Sequence, residues 1–415
     1  MRVAVIGTGI SGMLAAYLLA PEHDLTVFEA NDYIGGHTNT IKTEMDGKPY
    51  AVDTGFIVYN DWTYPNFIKL MAKLGVESQA SSMSFSVKCE KTGLEYNGTS
   101  LNSLFAQRVN FLRPSFYLMI REILRFNRES VSILDTGNES VTLGEYLREN
   151  GYSKQFAEHY IIPMGSAIWS AAPEDMLKFP LYYFVRFFKN HGMLSVNERP
   201  QWRVIRGGSS RYVAALTQGF RDRIRLNSPV QAVRRFPDGV EVTPKNGKPE
   251  KFDKVIIAAH SDQALKMLAD PSADEKKILG AMPYQENEAV LHTDASLLPK
   301  RRLAWASWNY HLLASKQARV SVTYNMNILQ TLDSPRPFCV TLNRTPDIDP
   351  AKILRRITYH HPVYNAGSIE AQKHHALING VNRTYFCGAY WGYGFHEDGV
   401  KSALEVAKYF GKGLD

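Results

Sequence analysis

Glycines and one carboxylate near the N-terminus have the spacing of a dinucleotide-binding site. Residues 3–6 (VAVI) form an apolar run typical of a buried parallel strand, and Gly7, Gly9 and Gly12 follow it as G-x-G-x-x-G. The first glycine permits a tight turn, the second lets the backbone approach a pyrophosphate, and the third allows close helix–strand packing. Glu29 ends the next predicted strand, 22 residues after Gly7, where its carboxylate can bind ribose hydroxyls. The pattern predicts that a dinucleotide binds at the N-terminus of the first helix.

A second glycine pair lies just beyond this fingerprint. In YIGGHTNT, Gly35 and Gly36 follow Glu29 by six and seven residues. Together with the first motif, this pair resembles the extended fingerprint of the superfamily of FAD-dependent amine oxidases, phytoene desaturases and protoporphyrinogen oxidases. The resemblance implies non-covalent FAD, with the glycine pair beside its phosphates and ribityl chain. Members of that superfamily usually have arginine after the pair, where this chain has His37.

The C-terminal stretch FCGAYWGYGFHEDGVKSALEVAKYF (386–410) resembles the end of the FAD-binding domain in that superfamily. Its first part is similar to the last strand, which crosses the cofactor, and it has Ala389 where an acidic residue usually follows the glycine. Its second part is similar to the last helix, whose N-terminus points at the flavin pyrimidine. The amide groups of Gly399 and Val400 would then stabilise negative charge on reduced flavin.

Histidines and a tyrosine are the candidates for chemistry at the flavin. His396 occupies the position where amine oxidases have one tyrosine of an aromatic cage. The segment TYHHPVYN (358–365) resembles the other wall of that cage and contributes His361 and Tyr364. His292 is the nearest match to the flavin-proximal lysine of amine oxidases. A histidine could remove or return a proton, and the alternative for each of these side chains is a structural role.

A hairpin connects the second glycine pair to the rest of the predicted site. MDGKPYAVDTGF (45–56) predicts two strands that turn at Asp46-Gly47 and bring Asp53 towards the cofactor. The alternative for Asp53 is a role within a turn. The complete set of residues expected to bind FAD is Gly7, Gly9, Ile10, Ser11, Gly12, Glu29, Ala30, Gly35, Gly36, His37, Thr38, Asp53, Gly55, Phe56, Val230, Gly388, Ala389, Gly399 and Val400.

The resemblance and the alternation of strands and helices predict a protein of the α/β class, with an α+β architecture for the chain as a whole. A Rossmann-like, discontinuous FAD-binding domain comprises residues 1–78, 202–270 and 380–415. The inserted residues 79–201 and 271–379 form a substrate-binding domain of mixed sheet and helices, as in amine oxidases, with an aromatic-rich helical part.

Composition excludes several classes of protein. The chain has 415 residues, of which 44% are hydrophobic and 21% charged, as in an ordinary globular protein. Its three cysteines are too scattered for a disulfide framework or a metal site, so a reducing cytoplasm is the expected location. The net charge of +7 suits an anionic partner, but no zinc-finger spacing or RNA-binding motif points to nucleic acid.

Two aromatic segments indicate either contact with lipid or a large core. Residues 104–130 mix five arginines with apolar side chains, as an interfacial helix on an anionic membrane does. This mixture predicts a protein that is peripheral at the inner membrane face. The Phe and Tyr side chains at 179–188 would line an entrance for an acyl chain, and the alternative for them is core packing.

Three phrases, WASWNY, GYGFHEDG and PMGSAIWSA, resemble one bacterial branch of the superfamily, typically encoded beside methyltransferases similar to cyclopropane-fatty-acid synthases. The resemblance implies a fatty-acyl or lipid-linked substrate and a lipid-modifying methyltransferase as a partner. We therefore expect an FAD-dependent oxidoreductase that removes a hydride from an activated C–H, in a desaturation or a double-bond isomerisation. The alternatives are a flavin amine oxidase that produces imine and hydrogen peroxide, and a non-catalytic flavoprotein partner of the methyltransferase.

Overall fold

The computed structural model describes residues 1–315 and 319–414. Residues 316–318, within the predicted insertion 271–379, and residue 415, at the end of 380–415, lie outside the described part of the chain. The strands are β1 (Arg2–Ile6), β2 (Asp24–Phe28), β3 (Thr40–Met45), β4 (Lys48–Asp53), β5 (Tyr59–Asn60), β6 (Ser78–Ala80), β7 (Phe85–Cys89), β8 (Glu95–Asn97), β9 (Trp202–Ile205), β10 (Ile224–Arg225), β11 (Val230–Phe236), β12 (Gly239–Pro244), β13 (Glu250–Phe252), β14 (Lys254–Ile257), β15 (Tyr284–His292), β16 (Trp308–Leu312), β17 (Val322–Asn325), β18 (Cys339–Leu342), β19 (Ile353–Pro362) and β20 (Thr384–Phe386).

Helices connect many of these strands and form most of the middle of the chain. The helices are α1 (Ile10–Leu19), α2 (Pro65–Leu74), α3 (Leu101–Leu104), α4 (Pro114–Glu129), α5 (Ile133–Thr136), α6 (Leu143–Glu149), α7 (Lys154–Phe156), α8 (Ile162–Trp169), α9 (Pro173–Leu177), α10 (Leu181–Asn190), α11 (Ser210–Thr217), α12 (Ser261–Met267), α13 (Ala273–Gly280), α14 (Met326–Leu329), α15 (Ala366–Gln372) and α16 (His396–Lys408). Local chemistry sets their ends: α2 begins with Pro65 and stops at Gly75, which has a left-handed conformation.

The N-terminal fingerprint lies in a five-stranded parallel sheet with the order β10-β2-β1-β14-β20. β1 is central, pairs with β2 and β14, and is buried from Val3 to Ile6, as a strand covered on both faces must be. The strands come from distant stretches of the chain, since β20 begins only at Thr384. The predicted α/β fold with a Rossmann-like sheet is confirmed, and the domain boundaries stay a prediction.

Helices and a small sheet cover the two faces of the parallel sheet. α1, α2, α11 and α16 share one core with it, and small side chains of α1 such as Ala15 and Ala16 are fully buried there. The strands β11 to β13 and the helices α12, α13 and α15 contribute to the core on the other face. Because α1 packs against α16, the N-termini of the two helices lie together near the carboxyl ends of the strands, the usual place for a ligand.

A second, seven-stranded sheet has the order β19-β15-β18-β17-β16-β7-β8. Its neighbours pair antiparallel, except for the parallel pair of β16 and β7. The long pairing of β15 and β19 runs from Tyr284 opposite Pro362 to His292 opposite Ile353. This register decides which predicted site residues can meet, because residues that pair near one end of β15 lie far from those that pair near its other end.

The middle part is mainly helical, as predicted, but residues 104–130 are not one helix. α3 ends at Leu104, a 3-10 turn covers Arg108–Leu112, and α4 begins at Pro114. Proline disfavours helical conformation in the residue before it, so Arg113 is extended and a new helix must start.

The aromatic segment 179–188 is part of the core. Its four phenylalanines are at most 3% exposed, and three of them have ring centroids within 6 Å of that of Trp169. The packing interpretation is confirmed, and these phenylalanines do not provide the predicted entrance for an acyl chain. Among the described residues, no helix combines the length and the hydropathy needed to cross a bilayer.

The buried carboxylate of Asp53 joins three segments near the site. It accepts hydrogen bonds from the amide and hydroxyl of Ser209, at 2.9 and 2.7 Å, and from Nε2 of Gln330 at 2.9 Å. Thr40, across the β3–β4 hairpin, also donates to it. Burial raises the pKa of Asp53 to about 6 in spite of these donors. All of this supports a structural role for Asp53, the alternative to the predicted cofactor contact.

We expect Asp53→Ala to lower the free energy of unfolding by about 3 kcal/mol, because it leaves the donors of Ser209 and Gln330 buried without partners. Chemical denaturation measures the change. Asp333→Ala is the matched control, since that side chain is fully exposed and should change stability by less than about 0.5 kcal/mol. Equal stabilities of the Asp53 variant and the wild type would contradict the structural role.

Candidate functional site

The first glycine motif combines two tight contacts with one open position. Gly7 has a φ of +101°, and a Cβ there would lie 2.7 Å from the carbonyl oxygen of Ala258. A Cβ on Gly12 would lie 2.0 Å from the carbonyl oxygen of Gly7, so this contact also requires glycine. At Gly9, the N-cap of α1, a Cβ would meet no atom within 4 Å, and no side chain caps the helix. Free N–H groups therefore face an opening in which an anionic group can bind.

The second glycine pair borders the same opening. Gly36 has a φ of +58°, and a Cβ there would lie 3.1 Å from the Cα of Gly9. The segment after the hairpin also packs here, since a Cβ on Gly55 would lie 2.1 Å from the carbonyl oxygen of His37. The amide of Phe56 donates to the same oxygen at 2.7 Å. The backbone around His37 is thus held from two sides, which the local sequence predicts through its glycines.

Glu29 links the end of β2 to both loops. Its buried carboxylate accepts hydrogen bonds from the Thr8 amide and from the amide and side chain of Asn31, each at 2.9 Å. The Thr8 hydroxyl adds a short hydrogen bond. The carbonyl oxygen of Glu29 accepts from the Ser228 amide at 2.8 Å, which places the start of β11, at Val230, near the same loops. Glu29 and Val230 therefore lie together, as the predicted nucleotide site requires.

The N-terminus of α16 meets that of α1. The Ser11 hydroxyl donates to the carbonyl oxygen of Gly399 at 2.9 Å, and a Cβ on Gly399 would lie 2.7 Å from Cγ2 of Ile10. The amide of Gly388, just after β20, donates to Oγ of Ser402 within α16 at 3.0 Å. Two helix N-termini with positive dipole ends therefore face one region. The other predicted positions next to these residues in the chain are Ala30, Ala389 and Val400.

His396 is buried at the start of α16 and is held by protein contacts. Its Nε2 lies 2.8 Å from the Tyr212 hydroxyl and 3.0 Å from Oγ1 of Thr38. Its ring stacks on Phe56, with centroids 3.4 Å apart. Burial lowers the pKa of His396 well below its ordinary value, so the imidazole is neutral at pH 7. The structure brings His396 close to the glycine pair but engages its Nε2, and its part in proton transfer stays a prediction.

Three partly exposed histidines lie close together beside the glycine pair, and we name the space between them the gap. The ring centroid of His37 lies 5.4 Å from that of His361 and 5.9 Å from that of His260. His37 also stacks on Tyr359 at 4.9 Å. The three imidazoles are enclosed by protein but keep part of their surface free, as side chains that line a gap do. Burial lowers their pKa values, to about 3 for His37 and His361 and about 4 for His260, so all are neutral at pH 7.

Tyr364 and His292 have different places in the structure. Tyr364 is buried beside the segment before α16, because a Cβ on Gly394 would lie 2.8 Å from its hydroxyl. This hydroxyl has no hydrogen-bond partner within the described residues. His292 ends β15 and is bound to Thr341 at 2.7 Å, whereas His361 pairs opposite Gln285, about 23 Å away along the strand. The antiparallel register thus places His292 far from the gap, which argues against its predicted place beside the cofactor; that place stays a prediction.

Three residues of this region were not among the sequence predictions. His260 lies three residues after the end of β14, and the rule that ligands bind at the carboxyl ends of parallel strands could have found it. Asn287 contacts His361, and Tyr212 contacts His396, although the two residues of each pair are far apart in the sequence. No local pattern marks either of them.

The residues present fit FAD. Gly9 leaves a cradle that a Cβ would fill, Gly36 packs against its Cα, and uncapped N–H groups of α1 face the cradle. These groups would hold the pyrophosphate, and Glu29 would hold the ribose beside it. The N-terminus of α16 and the ring of His37 would lie on the flavin side. When bound, FAD supplies an acceptor for a hydride.

Comparison with known proteins shows the family and the fold of the chain. The profile of the family described as "Flavin containing amine oxidoreductase" matches residues 10–295. The fold and the site define a flavoprotein oxidoreductase. The chain belongs to the family of flavin-containing amine oxidoreductases, whose cofactor is FAD.

Individual relatives are distant. The L-amino-acid oxidase of Siganus canaliculatus is 22% identical over 328 residues, which cover 71% of this chain and 57% of that protein. The chain thus spans little more than half the length of this relative. Cyclohexylamine oxidase from Brevibacterium oxydans has a TM-score of 0.66 at 17% identity, with 99% of both chains covered. A CLA-producing fatty acid isomerase from P. acnes has a TM-score of 0.70 at 14% identity, with 99% of this chain and 98% of that chain covered. These two likenesses show the fold.

We expect Gly9→Val to fold but to lose FAD. A side chain at this position meets no protein atom within 4 Å and would occupy the opening in front of the N–H groups of α1. The measurement is the ratio of flavin to protein absorbance after purification, which should fall at least about ten-fold, the effect of losing roughly 1.4 kcal/mol of binding.

Gly219→Ala is the matched control, because a Cβ there also meets no atom within 4 Å and the residue lies outside the loops. Circular dichroism should show the wild-type fold for both variants. A folded Gly9→Val protein with its full content of FAD would overturn the assignment of the opening.

Proposed function

We propose that this FAD-dependent oxidoreductase removes a hydride from a C–H bond in an uncharged part of a fatty-acyl or lipid-linked substrate. The observation that carries the proposal is the neutrality of the gap. Its three histidines have lowered pKa values, and the tyrosines stacked on them, Tyr359 and Tyr284, have raised ones, so every one of these rings is uncharged at pH 7. A cationic substrate would lose its hydration among these uncharged rings, which is unfavourable.

The chain's own residues have three tasks in such a reaction. The stacked rings of His37, Tyr359, His260 and Tyr284 enclose the gap and exclude water. The N-terminus of α16 stabilises the negative charge that arrives with a hydride. The outcome then depends on where the hydride goes: its transfer to an external acceptor, with loss of a proton from the adjacent carbon to a base, is a desaturation, and its return to another carbon is an isomerisation.

The fold comparison supports an apolar substrate as one possibility within this architecture. The protein from P. acnes that shares the fold is described as a CLA-producing fatty acid isomerase. The L-amino-acid oxidase relative favours an amine or amino acid instead. At neutral pH an amine or amino acid carries an ammonium group next to its reacting C–H bond, whereas the reacting part of a fatty-acyl chain is uncharged, so the neutral gap distinguishes them in physical terms.

Anaerobic mixing with defined compounds tests the substrate class. We expect oleic or linoleic acid, free or within a phospholipid, to bleach the flavin absorbance or to give a shifted double bond by mass spectrometry. L-leucine and cyclohexylamine should cause neither change. His361→Phe should retain FAD and bind the lipid more weakly, since it removes one polar group of the gap. Rapid bleaching by either amine, with hydrogen peroxide formed in air and no reaction with lipids, would establish the amine oxidase alternative.

An exposed surface of α3, α4 and the turn between them supports a lipid setting. Tyr117, Arg121 and Leu124 have helical spacing along one stripe of α4, and Leu112 is 83% exposed at its end. We name this surface the basic apolar face. It consists of Leu101, Arg108, Val109, Phe111, Leu112, Tyr117, Arg121 and Leu124.

The charge of this face is of one sign. Between residues 101 and 128 the sequence has five arginines and one acidic residue, Glu122, which is buried and accepts a hydrogen bond from the Ser153 amide at 3.0 Å. Arg121 has no ion pair within the described residues, whereas Arg125 is bound to Glu129. Apolar side chains beside unneutralised arginines complement an anionic bilayer, so we propose that this face binds one.

Co-sedimentation with vesicles tests the membrane contact. We expect binding to phosphatidylglycerol vesicles at low salt that weakens as salt screens the charges. Arg121→Gln should weaken binding about five-fold, and Phe111→Ser with Leu112→Ser should weaken it further without loss of FAD. Arg221→Gln and Leu377→Ser are the matched controls, since both side chains are exposed elsewhere.

Two outcomes would contradict the membrane contact. In one, the wild type does not bind these vesicles at low salt, or the control variants lose as much binding as the variants of the basic apolar face. In the other, the wild type is a dimer that the Phe111 and Leu112 variants dissociate, which would identify a second copy of the chain as the occupant of the face.

We also propose a lipid-modifying methyltransferase as a partner and a cytoplasmic location at the inner membrane face. The partner rests on the resemblance of three sequence phrases to one bacterial branch, and the location rests on the three scattered cysteines and on the basic apolar face. If the purified protein turns over no lipid alone but does so with such a methyltransferase, the non-catalytic alternative becomes the better account.

A further inference from the structure

The side-chain amides of Asn343 and Asn287 can each be oriented in only one way, because their hydrogen-bond partners fix which atom donates. The amide of Glu288 donates to Oδ1 of Asn343 at 3.0 Å, and because a backbone N–H can only donate, this oxygen is an acceptor. Nδ2 of Asn343 must then donate, and it lies 2.8 Å from Oδ1 of Asn287 and 2.9 Å from the carbonyl oxygen of Val320. The orientation of Asn343 is therefore set by the backbone on two sides.

Asn287 passes this constraint to His361. Asn287 is fully buried, and with Oδ1 accepting from Asn343 its Nδ2 must donate. Nδ2 lies 3.0 Å from Nδ1 of His361 and 3.3 Å from the carbonyl oxygen of Ser170. Nδ1 of His361 can accept this hydrogen bond only when it carries no proton. A neutral imidazole has one ring proton, so that proton is on Nε2.

The second ring nitrogen of His361 is accessible. Nε2 makes no hydrogen bond within the described residues, and it is not one of their fully buried, unpartnered polar atoms. The ring lies 5.4 Å from that of His37, at the centre of the neutral cluster. An N–H group that is free and accessible in an enclosed gap is available to a ligand.

We infer that His361 presents an Nε2–H donor and that the substrate places a hydrogen-bond acceptor, a carbonyl or hydroxyl oxygen, against it. This inference rests on the proposed function in taking the gap as the substrate site. It changes the role predicted from the sequence: in this tautomer Nε2 cannot remove a proton, so His361 binds and orients. A protonated amine would bring a second donor against the first, which disfavours it at this position.

The tautomer is directly measurable. In protein labelled with 15N-histidine and loaded with FAD, the ring shifts of His361 should show protonated Nε2 and unprotonated Nδ1 from pH 6 to 8. The signal is assigned by its absence in His361→Gln. Asn287→Asp replaces the Nδ2 donor with a carboxylate that accepts from Nδ1–H, so Nδ1 should become protonated in that variant.

His292 provides an internal control in the same sheet. Its Nδ1 accepts from the Asp294 amide at 3.0 Å, and its Nε2 lies against Thr341, so it should show the same tautomer and remain unchanged in Asn287→Asp. A wild-type His361 with a protonated Nδ1, or one that is cationic at pH 7, would overturn the inference even if the Asn287 variant fails to fold.

The KM values of two variants separate this inference from the proposed function. His361→Gln retains an N–H donor and His361→Phe does not, so the KM for a fatty acid should be about ten-fold higher for the Phe variant than for the Gln variant. Equal KM values for the two variants would contradict the donor role. If no lipid reacts with the wild type while the tautomer is as described, the proposed function fails and the donor assignment stands.

Discussion

The rest of the structure depends on one constraint: at several glycines, segments of the chain approach each other so closely that no side chain fits between them. At Gly12, Gly36 and Gly399 an added Cβ would lie 2.0 to 3.1 Å from backbone or side-chain atoms of α1 and its loop. These contacts bring the first helix, the glycine pair and the last helix to one point. Gly9 is the exception, because it opens to free space. Glycine therefore serves packing at three positions and access at one.

Enclosure decides the chemistry that the site can perform. Moving imidazolium out of water is unfavourable, so the histidines of the gap are neutral, and they act as hydrogen-bond donors and acceptors rather than as charges. Their aromatic neighbours extend the same uncharged lining. A site of this kind recognises a substrate by shape and by a few oriented polar groups, which is how buried pockets for apolar ligands usually obtain specificity.

Departures from the pattern of the superfamily have structural consequences. His37 replaces the usual arginine, and it stacks on Tyr359 where a guanidinium would carry charge. Asp53, a carboxylate near the predicted cofactor, is occupied by Ser209 and Gln330 and stabilises the hairpin. The histidine removes one charge beside the gap, and the carboxylate of Asp53 is engaged within the protein, in agreement with a neutral gap.

The sequence by itself determined the features that depend on neighbours in the chain. The glycine spacing, the hairpin at Asp46-Gly47 and the cap at Gly75 are local steric requirements, and the structure has each of them. Only the tertiary structure decided which polar side chains meet. His292 and His361 are equally plausible from the sequence, and the antiparallel register of β15 and β19 places one at each end of the sheet. Register arises from packing between distant segments, and no spacing within either strand encodes it.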